Sequence, residues 1–174
     1  SGNGNHGFLE GGLNLSEGVI GECYGFDGVD DYIDLGDDSS LYNFPEQFSI
    51  SVWIKPKANI KDGYVVAKGS AGIYNAYALE FQSNNKLKIN IGTDTSSDGT
   101  CDRWAIGLKS SKLLSNTWTH VAVNFNLTDV TFYLNGVKDT SSSLSIPYSN
   151  CNRKSIVGIG SGDPKAYRGE AYFT

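Results

Sequence analysis

The 174 residues hold no methionine, two histidines and three cysteines, and they contain no basic run. Each shortage excludes something. His6 lies in a glycine-rich opening and His120 inside Trp118-Thr119-His120-Val121-Ala122. Neither belongs to a nucleophile–base pair, and there is no Gly-x-Ser-x-Gly elbow. His120 reads as a structural residue hydrogen-bonded beside Trp118 or Trp53. Cys23, Cys101 and Cys151 are odd in number with no CxxC, which argues against a metal cluster. The net charge is −5, and a nucleic-acid binder needs clustered Lys and Arg to displace phosphate counterions. No apolar stretch approaches the ~18–20 residues that span a bilayer. Six glutamates are present, none with a second carboxylate two to four residues away on one strand face. Glu80 stands alone between Ala78 and Gln82. A retaining glycosidase needs its two carboxyls about 5–5.5 Å apart, so the sequence reads as non-enzymatic.

What is present favours β-structure. Ten Tyr, eight Phe and three Trp suit pleated surfaces, and 21 Gly supply turns. The length fits one domain over residues 1–174. Alternation of period two dominates: Phe48, Ile50, Val52 and Ile54 share one face, and Ser49, Ser51, Trp53 and Lys55 the other. The same pattern recurs in Tyr77/Leu79/Phe81, Leu87/Ile89/Ile91, Val121/Val123/Phe125 and Val130/Phe132/Leu134. Ser83-Asn84-Asn85, Leu127-Thr128-Asp129 and Asn135-Gly136 read as hairpin turns. No helical period persists beyond about two turns; the nearest, Lys109 to Asn116, is short and serine-rich. Many evenly spaced strands imply a sandwich or barrel. Cys101 and Cys151, each in a loop, are the candidates for one disulfide, which spacing alone does not establish. Cys23 reads as a buried thiol in an apolar strand.

Five segments in order then resemble one family. Ser1-Gly2-Asn3-Gly4-Asn5-His6-Gly7 is similar to its SGNGNHG opening, and Gly25 to Ile33 to its FDGxDDYV signature. Phe48 to Pro56 resembles FTISAWVKP, Trp118 to Ala122 WxHVA, and Tyr133-Leu134-Asn135-Gly136 YVNG. These belong to LamG-like jelly-roll domains of the laminin-G/concanavalin-A-like lectin group. The resemblance implies an all-β jelly-roll β-sandwich of two antiparallel sheets, used as a module of a longer extracellular or cell-surface chain. In the signature, Phe26 enters the core and Asp30 and Asp31 lead to the outward side of the next strand. The family's usual Asp ahead of SGN and its closing GxIDEVRIY strand are not matched at Ser1 or at residues 167–174.

Two kinds of site are expected. A structural calcium ion takes oxygens from loops. The resemblance points to Asn3 and Asn5, while Asp27, Asp30, Asp31 and Asp34 form a second candidate group. The alternative for both is ordinary turn chemistry. Sugars stack on aromatic rings and bond to Asp, Asn and Arg. Trp104, Arg103, Asp102 and Asp94, with Tyr74 and Tyr77, are the candidate ligand-binding residues, and Tyr64 and Asn90 lie in their company. The alternative places Trp104 and Tyr77 in the core, alternating with Ile106 and Leu79. The expected function is non-catalytic recognition of a carbohydrate or glycoprotein surface. The rivals are an adhesion or assembly module, whose open sheet edge would take a donated strand, and a degenerate glycosidase. Neither nucleic acid nor a membrane span is expected.

Overall fold

In the computed structural model, the residues described are 4–41, 47–58, 62–69, 75–113, 115–151 and 157–160. The chain runs through β1 (Phe8–Glu10), β2 (Asn14–Glu17), β3 (Glu22–Gly25), β4 (Tyr32–Asp34), β5 (Gln47–Ile54), β6 (Gly63–Lys68) and β7 (Tyr77–Gln82). It continues through β8 (Lys86–Thr93), β9 (Arg103–Lys112), β10 (Thr119–Asn126), β11 (Asp129–Leu134), β12 (Val137–Ser143) and β13 (Val157–Ile159). Among the described residues one 3-10 turn covers Ser39–Leu41, and no helix is long and apolar enough to cross a membrane. The stretch with the trace of helical period supplies the end of β9.

Two antiparallel sheets face each other. The larger has the order β1-β4-β13-β6-β7-β8-β9 and the smaller β12-β11-β10-β5; β2 and β3 form a separate ribbon. Alternation explains why the strands lie as they do. Val121, Val123 and Phe125 from one sheet meet Leu79, Phe81, Leu87, Ile89 and Ile91 from the other, all nearly or fully buried. Burying each such side chain stabilises the fold by about 1.5–3 kcal/mol. Phe26 joins this core as expected. Turns follow their chemistry: Asn135 and Gly136 both have positive φ, 51° and 80°, the geometry of a two-residue hairpin between β11 and β12.

The sandwich closes along one side. The edge of β9 is tied to the β12 segment where Ser111 N donates to Asp139 Oδ2, Thr140 Oγ1 to the Lys109 carbonyl and Ser145 N to the Ala105 carbonyl. On the other side the larger sheet continues beyond β6 through β13, β4 and β1. No described strand pairs with the outer edge of β5.

Two expectations need correction. Asp31 is buried rather than outward-facing, because its carboxylate accepts the amides of Gly12 at 2.6 Å and Asp27 at 2.8 Å. That fixes the chain crossing before β4. Cys23 is half-buried, on the ribbon and not in a core strand, with its Sγ 3.6 Å from the Glu17 carbonyl.

Candidate functional site

The loop between β8 and β9 is built around its own carboxylates. Asp94 is buried, and its Oδ1 accepts the amides of Ser96 at 2.9 Å and Ser97 at 2.7 Å. Its Oδ2 accepts the Gly99 amide at 2.7 Å. Asp102 Oδ1 closes the loop from the far side, accepting Thr95 N and Oγ1, each at 3.0 Å. Partial burial works against the charged Asp102 carboxylate, but these hydrogen bonds outweigh it and hold its pKa below the ordinary value. Thr100 does the same for Asp98, through its hydroxyl first and then its amide. Asp94 and Asp102 thus shape the rim; much of their bonding capacity is spent inside the loop.

A disulfide joins Cys101 to Cys151, and both are buried. Beside it Asp94 N donates to the Ser149 carbonyl, and Ser149 N to Thr93 Oγ1 at 2.7 Å. The bridge settles the pairing that spacing left open.

Arg103 and Trp104 start β9 where the loop ends. Thr93 lies opposite Arg103 and Gly92 opposite Trp104, but Ile91 lies opposite Ile106. Ala105 is the extra residue of a β-bulge, fully buried. Simple alternation would put Trp104 on the face of Ile106. The bulge assigns it instead to the Gly92 side, away from the core. Trp104 is half-buried and Arg103 exposed, so these two are the rim's candidate contacts.

Tyr77 does not share that rim. It is buried, its hydroxyl donates to the Leu41 carbonyl at 2.8 Å, and burial pushes its pKa far up. Its ring packs 5.5 Å from that of Phe48. This is the core alternative, and it removes Tyr77 from the binding candidates. Tyr74 and Asn3 lie outside the described residues.

Two further polar groups are resolved. On the outer side of the larger sheet Glu80 accepts the Asn90 amide, with Tyr64 and Lys88 as cross-strand neighbours. Burial raises the Glu80 pKa, and Asp62 adds to it, against the lowering pull of Lys88, Asn90 and Lys109. Lys88 and Lys109 escaped the sequence reading, although their alternation with Leu87, Ile89 and Leu108 signalled an outer face. On the smaller sheet His120 Nε2 lies 2.9 Å from Ser51 Oγ, and its ring 5.2 Å from Trp53. That is the structural role expected of it.

The calcium candidates separate in space. Asn5 Nδ2 donates to Ser40 Oγ, ahead of β1. Beyond the other end of β1, carboxylate oxygens of Asp27, Asp30 and Asp31 lie within 4.8 Å of one another, where Gly12 meets Asp31. Asp34, the fourth acidic residue, bonds instead to the Gly36 amide.

Residues 27–174 match the profile of a laminin-G-type family described as the concanavalin A-like lectin/glucanases superfamily. The chain belongs to that superfamily. Over 89 residues this laminin-G-type chain is 29% identical to adhesion G-protein coupled receptor V1 of Danio rerio; the match spans 51% of the chain and 1% of the receptor. The binding domain of Paraclostridial Mosquitocidal Protein 1 shares its fold with a TM-score of 0.73 and 17% identity, over 98% of this chain and 41% of that one. A chain of botulinum neurotoxin type C, whose cell entry depends on interaction with two ganglioside molecules, gives 0.62 at 18% identity, over 90% of this chain and 38% of that one. Domain 4 of AbnA, an extracellular arabinanase from Geobacillus stearothermophilus solved with arabinotriose, gives 0.62 at 18% identity, covering 88% and 68%. At these identities the solved structures speak for the fold alone.

Proposed function

We propose that this domain is a non-catalytic carbohydrate-binding module of a secreted or cell-surface protein, with Arg103 and Trp104 as its principal contacts. One observation carries the reading. A loop pinned by a disulfide and by Asp94 and Asp102 holds an exposed guanidinium next to an aromatic ring turned off the core by a bulge. Rigidly held loop residues are where binding concentrates. A ring with a neighbouring charged fork meets both the apolar face and the hydroxyls of a sugar. The superfamily membership and the sugar ligands named for two of the solved relatives support the class of ligand. A disulfide in so small a domain supports an oxidising compartment.

A glycan array identifies the ligand, and titration of Trp104→Ala tests the site. Affinity is expected to fall about tenfold or more, the 1–3 kcal/mol typical of an aromatic contact. A variant that stays folded and binds normally rejects the rim as the site. A parent that binds no glycan favours adhesion between proteins, the reading supported by the likeness to an adhesion receptor. Calcium is assigned in the same proposal to Asp27 and Asp30 with carbonyl oxygens of their turn. Asp31 contributes less, since its oxygens already hold two amides.

A further inference from the structure

The outer face of the smaller sheet presents aromatic rings to solvent. Alternation turns Phe48, Ile50 and Val52 of β5 inward and leaves Ser49, Ser51 and Trp53 on the other side, where Trp53 is 42% exposed. The indole is held in place. The His120 ring packs against it at 5.2 Å with the planes at 53°, and Ser51 Oγ lies 2.9 Å from His120 Nε2. The His120 backbone is fixed from the far side, its N–H donating to Asn135 Oδ1 and its carbonyl accepting the Asn135 N–H. A ring ordered before a ligand arrives gives up less freedom on contact.

A second ring shares the face. Register sets His120 opposite Trp53, and Ala122 opposite both Ser51 and Tyr133. Tyr133 is half-buried, and it stands two strands from Trp53, about 10 Å across the sheet. Between the two rings are only the short side chains of Ser51 and Ala122. The next row along the strands is Ser49, Asn124 and Thr131, of which the first two are exposed.

The chemistry of this face selects its ligand. No carboxylate, lysine or arginine stands among these rows; Asp129 and Lys138 lie at the margin, at the start of β11 and on β12. A phosphate or an acidic chain therefore meets no clamp here. The backbone of β10 is paired on both sides, by β5 and by β11, so a peptide laid over the face finds no ladder to join. What remains is ring surface, hydroxyls and an amide. A neutral sugar is complementary to that set, with C–H faces for the rings and hydroxyls at its edges. Two rings about 10 Å apart are bridged by an extended chain of equatorially linked pyranoses, not by a single sugar.

We propose that Trp53 and Tyr133, with Ser51, Asn124 and Thr131, form a second carbohydrate site, one that takes a linear neutral polysaccharide of the β-1,4-linked glucose or xylose kind. Trp53 stacks on one sugar unit and Tyr133 on another along the chain, and the hydroxyls and the Asn124 amide bond to the sugar's hydroxyls. The site is on the opposite sheet from Arg103 and Trp104 and stands whether or not that rim binds sugar.

The chain has three tryptophans, Trp53, Trp104 and Trp118, so three indole N–H signals in an NMR spectrum report the two sites and a control. Trp53→Phe and Trp104→Phe assign them. The probes are cellohexaose and xylohexaose, with octaproline as a rigid polypeptide that also docks on aromatic rings. In the unaltered chain at least one of the two sugars is expected to shift the Trp53 signal saturably while Trp118 stays still. The same Kd is expected in Arg103→Ala, which removes an exposed side chain from the rim. Tyr133→Ala, read through the Trp53 signal with Trp118 reporting the fold, is expected to bind at least tenfold more weakly. The proposal is overturned if neither sugar moves Trp53, or if octaproline moves it as strongly as the better sugar. It is overturned too if Arg103→Ala abolishes the Trp53 shift or if Tyr133→Ala binds as the parent does. A shift of Trp104 alone keeps the rim and rejects this face. The first readout is taken on the unaltered protein, so a folding defect does not confuse it.

Discussion

Gly92 lies opposite Trp104 in the β8–β9 ladder, while its neighbour Ile91 lies opposite Ile106. Two residues separated by one position thus serve opposite faces of the sheet. Their truncations should differ accordingly. Ile106→Ala removes buried surface and is expected to cost about 2–5 kcal/mol. Trp104→Ala should lower the melting temperature by only a few degrees. Thermal melts of the two variants make the comparison, and equal losses would return Trp104 to the core.

Asp94 is expected to be the structural keystone of the rim. Replacing it with Ala strips the acceptor from the amides of Ser96, Ser97 and Gly99. Bonds to a charged acceptor and the groups left unpaired make a loss of about 2–3 kcal/mol the expected result in urea unfolding. Glycan affinity should fall with it, although Asp94 need not touch the ligand. Asp94→Asn, which keeps one acceptor oxygen, should lie between.

The bridge between Cys101 and Cys151 closes a loop with a sequence separation of 50. On the chain-entropy account its reduction is expected to cost about 4 kcal/mol. Denatured without reductant the protein should titrate with one thiol, and with reductant three. Three thiols in the unreduced sample would contradict the bridge.

Much of this was legible beforehand, for a simple reason. Leu87, Ile89 and Ile91 are buried on one face because strands alternate, and alternation is written directly in the chain. Asn135-Gly136 likewise carries its own turn chemistry. The misreadings share a cause too. A solvated turn aspartate and Asp31, buried beneath two amides, are the same residue type in the same kind of segment; only the approach of Gly12 from 19 residues away distinguishes them. Trp104 stays open between rim and core in the sequence, because the bulge at Ala105 that sets its parity is not announced in the chain.

Carboxylates pull the dependence of stability on pH in two directions. Thr100, Thr95 and Thr128 with Ser143 hold Asp98, Asp102 and Asp129 below their ordinary values. Their contribution is present above the unfolded pKa near 4 and is lost as pH falls through the folded values. Glu80 is raised, chiefly by burial, so its ionisation above about pH 4 opposes folding. Glu80→Gln keeps an acceptor for Asn90 and should raise the melting temperature at pH 7. At pH 3, where glutamate is protonated in both states, the benefit should vanish. A gain of equal size at both pH values would point to packing, not charge.

Calcium bound only by the native state stabilises it by mass action, about 2.7 kcal/mol at a hundredfold excess over Kd. Melting in calcium is therefore expected to exceed melting in chelator by several degrees. Asp27→Asn with Asp30→Asn should erase the difference. Identical melts of the parent would leave the acidic turn as turn chemistry.

Among the described residues the ribbon of β2 and β3 pairs only with itself, and every residue of β2 is exposed. Its tip, Gly18-Val19-Ile20-Gly21, closes through a bond from Gly18 N to the Gly21 carbonyl and leaves Ile20 84% exposed. Two-stranded ribbons are marginal alone, so opening fluctuations should begin here while the disulfide-bound end stays shut. A protease cut or a grafted sequence at Val19-Ile20 would then be tolerated, which makes this hairpin the handle for a dye or an affinity tag.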